Sequence, residues 1–590
     1  MEIYKSKTIH FSTVLTVINK KYNSISILRL LTIVLFLFSI YYYIKTSEIV
    51  CIAAAIFLFS AFVILMRIHS KLVFKKQVSQ ALLDINENEI SYIESKKMPF
   101  ENGQEFNDFH HPYAYDLDVF GEHSLFQNLN RTATYIGKKT LANQLLTLSP
   151  NDEISRNHQA VNELSKKLDW RQEFMAFAKI SNDNQSNYQT LLKWSTFNST
   201  PLSKSTVFIS YFLPLLFLLV LAGYIVTSST TFATALSYLF LINLIVLGRF
   251  MNRIQAEIAN SSNIDKTIHQ YSLLLQKIEE ETFQSGKLID LQQKLLFKKE
   301  NASVHLKQLA GLFSKMDSIG NFVTAIVFNG TFLFNLHVLK SLIQWKIEHA
   351  EALENWLVVI GEFEMLNSLA NMSYNNPEFV YPTLNTNFEI DFTNLSHPLL
   401  NGKIRIGNDV RFHPESFMIL TGSNMSGKST FLRSLGINMV LSGMGAPVCA
   451  SQANVHPLPV LVSMRLSDSL SDSESYFFAE IKRLKQIMDE LESRPAFVLL
   501  DEILRGTNSD DKRNGTIEVV KKVIGKNAIG AIATHDIEVC LTTNEYPNVL
   551  INKCFEVEIV NNELHFDYKL RDGICKNRSA TFLMKKMGVI

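Results

Sequence analysis

One eight-residue motif constrains this chain of 590 residues more than any other feature. Residues 422–429 read GSNMSGKS and match the pattern G-x-x-x-x-G-K-[ST] without a mismatch. A strand-like run, FMILT, precedes the motif, and a helical run, FLRSLGINMVL, follows it. This order predicts a phosphate-binding loop, in which backbone N–H groups surround phosphate oxygens at the N-terminus of a helix.

The motif assigns separate roles to its side chains. We expect Lys428 to bridge the β- and γ-phosphates of a nucleoside triphosphate, and the hydroxyl of Ser429 to bind Mg²⁺. The glycines allow the backbone to curl around the phosphates. The candidate nucleotide-binding residues of the loop are Gly422, Ser423, Asn424, Met425, Ser426, Gly427, Lys428, Ser429 and Thr430.

Two more predicted strands end in residues that suit the same chemistry. The run FVLL leads into Asp501 and Glu502, which we interpret as a Mg²⁺ ligand acting through water and a base that polarises the attacking water. The run AIGAIAT leads into His535, which would sense the γ-phosphate or orient that water. In isolation, such residues are also found in surface or structural roles. Short strands alternating with helices predict a mostly parallel α/β sheet.

Four nearly uncharged stretches predict membrane-spanning helices. They cover residues 26–44, 49–66, 207–226 and 232–247 and form two antiparallel hairpins, because the connecting turns are too short to recross a bilayer. Basic residues flank both hairpins, so the N- and C-terminal ends of each hairpin should face the cytoplasm. Only 19% of the chain is charged and 47% is hydrophobic, which is consistent with apolar surface. The alternative is a set of buried core helices.

Two other helical segments leave alternatives open. The apolar run 323–334 contains Asn329 and Gly330, which favours a buried helix over membrane contact. Residues 253–308 mix lysines with glutamates, so we interpret this segment as a solvated stalk rather than a DNA-binding face. The net charge of +1 gives no global sign of a nucleic-acid partner.

Several segments together resemble the ATPase domain of the MutS family, which is related to the ABC ATPases. GSNMSGKST, LLDEILRGTNSDD and ATHD carry the resemblance, and SYFFAE at 475–480 resembles the family's signature segment. Residues 566–588 resemble its closing segment. Residues 124–146 and 354–370 resemble the start of the core helical domain and the end of its lever helices.

The resemblance implies an α/β P-loop NTPase domain of the ABC-ATPase type, preceded by an all-α core and lever domain that carries the two transmembrane hairpins. It implies ATP as the nucleotide, Mg²⁺ as cofactor and ATP hydrolysis as the reaction. It also implies a homodimer with composite sites, in which Ser475 of one subunit senses the ATP held by Lys428 of the other. Mismatched or branched double-stranded DNA is then a candidate partner. The expected units are 1–76, 77–206, 207–247, 248–376 and 377–590.

Departures from the family pattern leave the biological role open. The first hairpin occupies the place of the mismatch-reading domain, and Ser473 and Glu474 replace the usual Gly-Arg before the signature serine. Alternatives are therefore an ATPase switch that acts on a protein partner without DNA, and an ABC-type transporter, although SYFFAE differs from the transporter signature. The expected location is the cytoplasmic membrane, with the bilayer as a partner and the ATPase domain in the cytoplasm.

Overall fold

The chain begins with a pair of long antiparallel helices in the computed structural model, α1 (Glu2–Thr46) and α2 (Ile49–Ile93). Each has 45 residues, so at about 1.5 Å per residue each extends well beyond a bilayer. The apolar stretches predicted as spans form only one end of this hairpin. The structure describes all residues except 95–97, 182, 198, 259–263, 318–321, 415, 466–475, 561–562, 576–583, 585–586, 588 and 590.

A helical region follows the first hairpin and continues after the second. Its first part consists of α3 (Leu125–Leu129), α4 (Tyr135–Leu146), α5 (Asn151–Ser165), α6 (Leu168–Ile180) and α7 (Gln185–Thr196). The second hairpin consists of α8 (Lys204–Thr227) and α9 (Thr230–Ile258). The second part consists of α10 (Ile264–Glu279), α11 (Gly286–Gln293), β1 (Leu296–Phe297), β2 (Glu300–Asn301), α12 (Ala302–Asp317), α13 (Phe322–Phe332) and α14 (Phe334–Asn375).

The C-terminal region contains the larger sheets. In chain order its elements are β3 (Thr383–Leu384), β4 (Ile390–Leu395), β5 (Asn408–Phe412), β6 (Phe417–Gly422), α15 (Lys428–Met444), β7 (Gln452–Val455), β8 (Val460–Ser463), α16 (Tyr476–Ser493), β9 (Phe497–Asp501), α17 (Ser509–Ile524), β10 (Ile529–Ala533), α18 (Ile537–Leu541), β11 (Leu550–Phe555), β12 (Glu558–Val560), β13 (Glu563–His565) and β14 (Leu570–Asp572). One sheet has the strand order β14-β11-β6-β10-β9-β8, and a second has the order β3-β7-β4-β5.

Parallel pairing sets the edge at which the predicted strands end. β10 lies between β6 and β9, and Ala533 pairs with Leu420 on one side and with Asp501 on the other. All three strands are buried along their length, as expected for the centre of a parallel sheet. Their carboxyl ends therefore lie side by side, and the residues that follow each strand are brought together.

Four helices in the described part of the chain are long and apolar enough to cross a membrane: α1, α2, α8 and α9. In their most apolar windows only 6% to 17% of the residues are buried within the chain. α13 and α14 meet the same length and hydropathy criteria when they are counted together as one broken span. The two helices meet at an angle of 80°. The predicted spans thus coincide with apolar helices that expose most of their surface.

The structure corrects two expectations about the helical region. Residues 253–308 are not a solvated stalk: α10 buries Ile268, Tyr271 and Leu275 completely and packs against α12. The helix predicted around residues 323–334 exists as α13, but it is only partly buried. Both differences have the same cause. Sequence periodicity identifies a helix and its apolar residues, but it does not predict whether protein or another environment contacts them.

A buried carboxylate joins α14 to the start of α4. Glu364 accepts hydrogen bonds from the backbone N–H groups of Ala133 (2.7 Å) and Thr134 (3.2 Å) and from the hydroxyl of Thr134. Burial raises the pKa of Glu364 from 4.5 to about 7, although these hydrogen bonds oppose the rise. Between these pH values the folded protein binds a proton at Glu364 that the unfolded chain releases, so this group's contribution to stability decreases as the pH rises.

Glu364→Gln is therefore expected to flatten the pH dependence of stability. From about pH 5 to about pH 8 the wild-type protein should lose on the order of 2 kcal/mol more unfolding free energy than the variant. Chemical denaturation of both proteins at the two pH values measures this difference. The variant should be less stable at every pH, because the side-chain amide of the glutamine places N–H donors against the N–H and hydroxyl donors that face Glu364. The change of unfolding free energy with pH is therefore the quantity to compare. Parallel pH profiles would show that Glu364 titrates normally.

Candidate functional site

The loop between β6 and α15 occupies the position predicted from the sequence. Gly427 caps α15 and has φ 102°, a left-handed conformation that disfavours any side chain. A Cβ atom at this position would also lie 3.0 Å from the ring of Tyr568. Met425, at the exposed tip of the loop, has φ 68°. The loop thus depends on a glycine at 427 both for its backbone conformation and for the close approach of Tyr568.

Lys428 lies under the loop and is almost fully buried. Its Nζ donates to the backbone carbonyls of Gly422 (2.9 Å) and Ser423 (3.1 Å) and lies 3.4 Å from Nε2 of His535. Burial lowers the pKa of Lys428, and the nearby carboxylate of Glu502 opposes this effect. A buried ammonium group held by loop carbonyls is well placed to pair with an anion that enters the loop.

Glu502 and His535 form a close pair beside Lys428. Oε1 of Glu502 lies 2.6 Å from Nε2 of His535. The hydrogen bond from His535 lowers the pKa of Glu502 to about 2, so its carboxylate is ionised at neutral pH. Arg505 contributes from the other side, with its guanidinium 3.5 Å from Oε2. Glu502 also has φ 48°, a strained backbone conformation of the kind found at functional sites.

Asp501 and Ser429 supply oxygen atoms that suit Mg²⁺. Ser429 forms a side-chain hydrogen bond with Asp501, while burial raises the pKa of Asp501. Among the described residues, Oδ1 of Asp501 and the hydroxyls of Ser423 and Ser426 are buried without a hydrogen-bond partner. Buried oxygens without a partner are rare, and hard oxygen ligands are the ones that Mg²⁺ prefers. These residues therefore fit a hydrated Mg²⁺ ion.

A cavity of about 540 Å³ opens beside the loop. Part of its lining comes from the loop and its surroundings, namely Asn424, Ser426, Gly427, Lys428, Ser429, Thr430 and Glu502. Apolar and aromatic residues also line it, among them His397, Ile404 and Tyr568. Burial lowers the pKa of His397 to about 4, so its ring is neutral at physiological pH. A lining with both polar and apolar parts suits a ligand that carries both phosphates and an aromatic base.

The apolar and aromatic residues that line the cavity could not be assigned to it from the sequence. His397 and Ile404 lie before β5, and Tyr568 lies beyond β13, so no motif connects them with the loop. One signal was available, because Tyr568 belongs to the segment 566–588 that resembles the family's closing segment. Of the predicted site residues, Ser475 lies outside the described residues. The others, from the loop, Asp501, Glu502 and His535, are brought to one edge of the sheet.

The region that carries this site is similar in sequence to known proteins. The sequence model of MutS domain V matches residues 418–588. The C-terminal region of the chain is therefore similar to MutS domain V. The MutS match includes the phosphate loop and the ends of all three central strands.

Curated MutS proteins show the same similarity. A DNA mismatch repair protein MutS of Methanococcoides burtonii is 32% identical over 196 residues, which are 32% of this chain and 22% of the relative. MutS proteins of Bacillus thuringiensis and Bacillus cereus are 31% identical over 233 residues, which are 38% of this chain and 25% of each relative. The chain thus matches about a quarter of the length of these MutS proteins.

Proposed function

We propose that the chain is a membrane-anchored ATPase of the MutS type that binds and hydrolyses ATP with Mg²⁺. The observation that carries this proposal is the convergence of Lys428, Asp501, Glu502 and His535 beside one cavity. In this function Lys428 pairs with the phosphates, and Glu502, oriented by His535, accepts a proton from the attacking water. Ser429 and Asp501 hold Mg²⁺, which would neutralise charge on the phosphate oxygens.

The base and sugar of the nucleotide would lie against the apolar and aromatic part of the cavity lining. Tyr568 and the neutral ring of His397 offer flat surfaces there, and Ile404 adds an apolar side chain that is more than two-thirds exposed. Aromatic rings favour stacked arrangements with other ring systems. The same cavity then accounts for both halves of ATP, which supports an ATP site rather than a simple anion site.

The proposed organisation follows the units expected from the sequence. Hairpins within 1–76 and 207–247 would anchor the chain in the cytoplasmic membrane. The helical units 77–206 and 248–376 would connect them to an ATPase domain at 377–590 on the cytoplasmic side. Exposed apolar helices with basic flanks support the anchoring. Two subunits would share composite sites, with Ser475 of one facing the ATP of the other.

The working partner is either DNA or another protein. The names of the matched relatives refer to DNA mismatch repair, which supports coupling of ATP binding to mismatched or branched duplexes. α10 packs one face into the helical core and leaves Lys266 exposed on the other, so only part of the mixed-charge segment remains at the surface. Binding of duplex DNA that weakens steeply as salt rises would favour a DNA partner. Absence of such binding, with and without ATP, would favour a switch that acts on a protein.

The nucleotide site is tested by Lys428→Ala in the full-length protein. We expect ATP binding in the presence of Mg²⁺ to weaken by at least about tenfold, or about 1.4 kcal/mol, because the buried cation that faces the phosphates is lost. Equilibrium titration with a fluorescent ATP analogue measures the affinity. Lys526→Ala is a matched control, since Lys526 pairs with Glu492 on the surface. Equal affinities for the wild-type and Lys428→Ala proteins would contradict the assignment.

A further inference from the structure

α13 packs against the second hairpin rather than within the soluble core. Gly330 accepts a hydrogen bond from Nδ2 of Asn243 in α9 (2.7 Å), and it lies so close to Phe240 that a Cβ atom would overlap the ring. Just beyond the bend, His337 of α14 lies 2.9 Å from the carbonyl oxygen of Ser210 in α8. The bend between α13 and α14 therefore lies beside both helices of the hairpin.

The course of α14 fixes how deep α13 lies. Lys346 of α14 forms a buried ion pair with Glu257 at the cytoplasmic end of α9 (2.7 Å). From Lys346 back to Leu333, and from Glu257 back to Asn243, the two helices each rise about 20 Å. α9 and α14 therefore run side by side. α13 contacts α9 at the level of Asn243.

That level is inside the apolar part of the hairpin. Asn243 lies four residues before Leu247, the end of the apolar stretch, and therefore about 6 Å inside it along the helix. Phe240 lies about 10 Å inside it. If the second hairpin spans the bilayer, α13 lies within the cytoplasmic leaflet.

The most exposed side chains of α13, among those that the structure describes, are apolar. Val327, Phe328 and Phe332 are 49%, 46% and 42% exposed, whereas Asn329 is 1% exposed and faces inward. The side-chain amide of Asn329 donates to the carbonyl of Ala325 (2.8 Å) and accepts from the backbone N–H of residue 335 (2.9 Å). The amide of Asn329 is thus satisfied on the inner side of α13 while apolar side chains face outward, as expected for a helix in lipid.

Length and direction exclude a full span for this helix. With 11 residues, α13 is about 16 Å long, roughly half of the hydrocarbon thickness. The 80° bend at Leu333 also turns it across α14, which runs alongside the hairpin. A helix of this length and direction can lie in one leaflet, with its exposed side chains against acyl chains.

We propose that α13 is a third membrane element, which lies flat in the cytoplasmic leaflet against the second hairpin and contacts lipid acyl chains. This inference depends on the membrane anchoring proposed above. It also extends the role of α14, whose far end carries Glu364 in the helical core and whose near end joins α13.

Quenching of tryptophan fluorescence by brominated phospholipids tests this placement. The full-length protein would be reconstituted in vesicles whose lipids carry bromine either near the head or near the middle of the acyl chain. Phe328→Trp and Val327→Trp report on α13, Leu215→Trp reports on the centre of α8, and Leu296→Trp is a control on the exposed strand β1. The four native tryptophans give the same background in every protein. Two α13 variants are used so that a folding defect in one does not decide the result.

We expect the α13 variants to lose fluorescence most with bromine near the lipid head, Leu215→Trp most with bromine near the chain middle, and Leu296→Trp with neither. Quenching of Leu215→Trp without quenching of either α13 variant would overturn the inference while leaving the hairpin in the membrane. In that case protein, such as a second copy of the chain, would cover α13. If Leu215→Trp is not quenched either, the membrane anchoring itself fails.

Discussion

Glu502→Gln is expected to lower the rate of ATP hydrolysis by roughly 10²- to 10⁴-fold while leaving ATP binding nearly unchanged. The substitution keeps the size of the side chain and an oxygen that can accept the hydrogen bond from His535. It removes the carboxylate, which is ionised at neutral pH and is the group proposed to accept the proton of the attacking water. Loss of the chemical step without loss of binding is the signature of a group that acts in the transition state.

Steady-state phosphate release and equilibrium ATP binding, measured on the same preparations, separate the two effects. Glu518→Gln is the matched control, because the side chain of Glu518 is 76% exposed on α17 and far from the cavity. Its turnover should equal that of the wild-type protein. If Glu502→Gln turned over ATP at the wild-type rate, another group would have to accept the proton, and the role given to the pair with His535 would be wrong.

Arg131→Met is expected to destabilise the fold by about 3–5 kcal/mol. Arg131 and Glu89 form an ion pair whose side chains are only 2% and 3% exposed. Glu89 also accepts hydrogen bonds from the side-chain amides of Asn371 and Asn375, both at 3.0 Å. This cluster joins the end of α2 to the helical core and to α14. Removing the arginine would leave a buried carboxylate without its cation, which is far costlier than losing an exposed pair.

Chemical denaturation of the reconstituted protein measures this loss. The control is Arg156→Met, because Arg156 pairs with Asp290 on the surface, where the two side chains are 40% and 55% exposed. We expect the control to change the free energy of unfolding by less than about 1 kcal/mol. Similar small changes in both variants would mean that the cluster does not hold the first hairpin to the core.

The sequence predicted the parts of the site that depend on strand ends. Because carboxyl ends of parallel strands meet at one edge, the positions of Asp501, Glu502 and His535 relative to the loop could be inferred from three short apolar runs. The register of β6, β9 and β10 has this arrangement. The strand–loop–helix order around Lys428 was predictable for the same reason, since it depends on local sequence alone.

Other features depend on contacts between distant segments and could not be predicted. Tyr568 approaches Gly427 across 141 positions of the chain. Glu89 of α2 meets Asn371 of α14 and Arg131, in the loop between α3 and α4, only through tertiary packing. The position of α13 against the second hairpin likewise depends on contacts of Gly330 with Asn243 and Phe240, 87 and 90 positions earlier in the chain.

ATP turnover by the full-length protein in lipid nanodiscs tests the central claim most directly. Phosphate release would be measured with Mg²⁺ and with a chelator in its place, for the wild-type protein and for Lys428→Ala. We expect hydrolysis by the wild-type protein with Mg²⁺ only, and background release by Lys428→Ala under both conditions. Equal release by the two proteins with Mg²⁺ would contradict an ATPase site at the loop between β6 and α15.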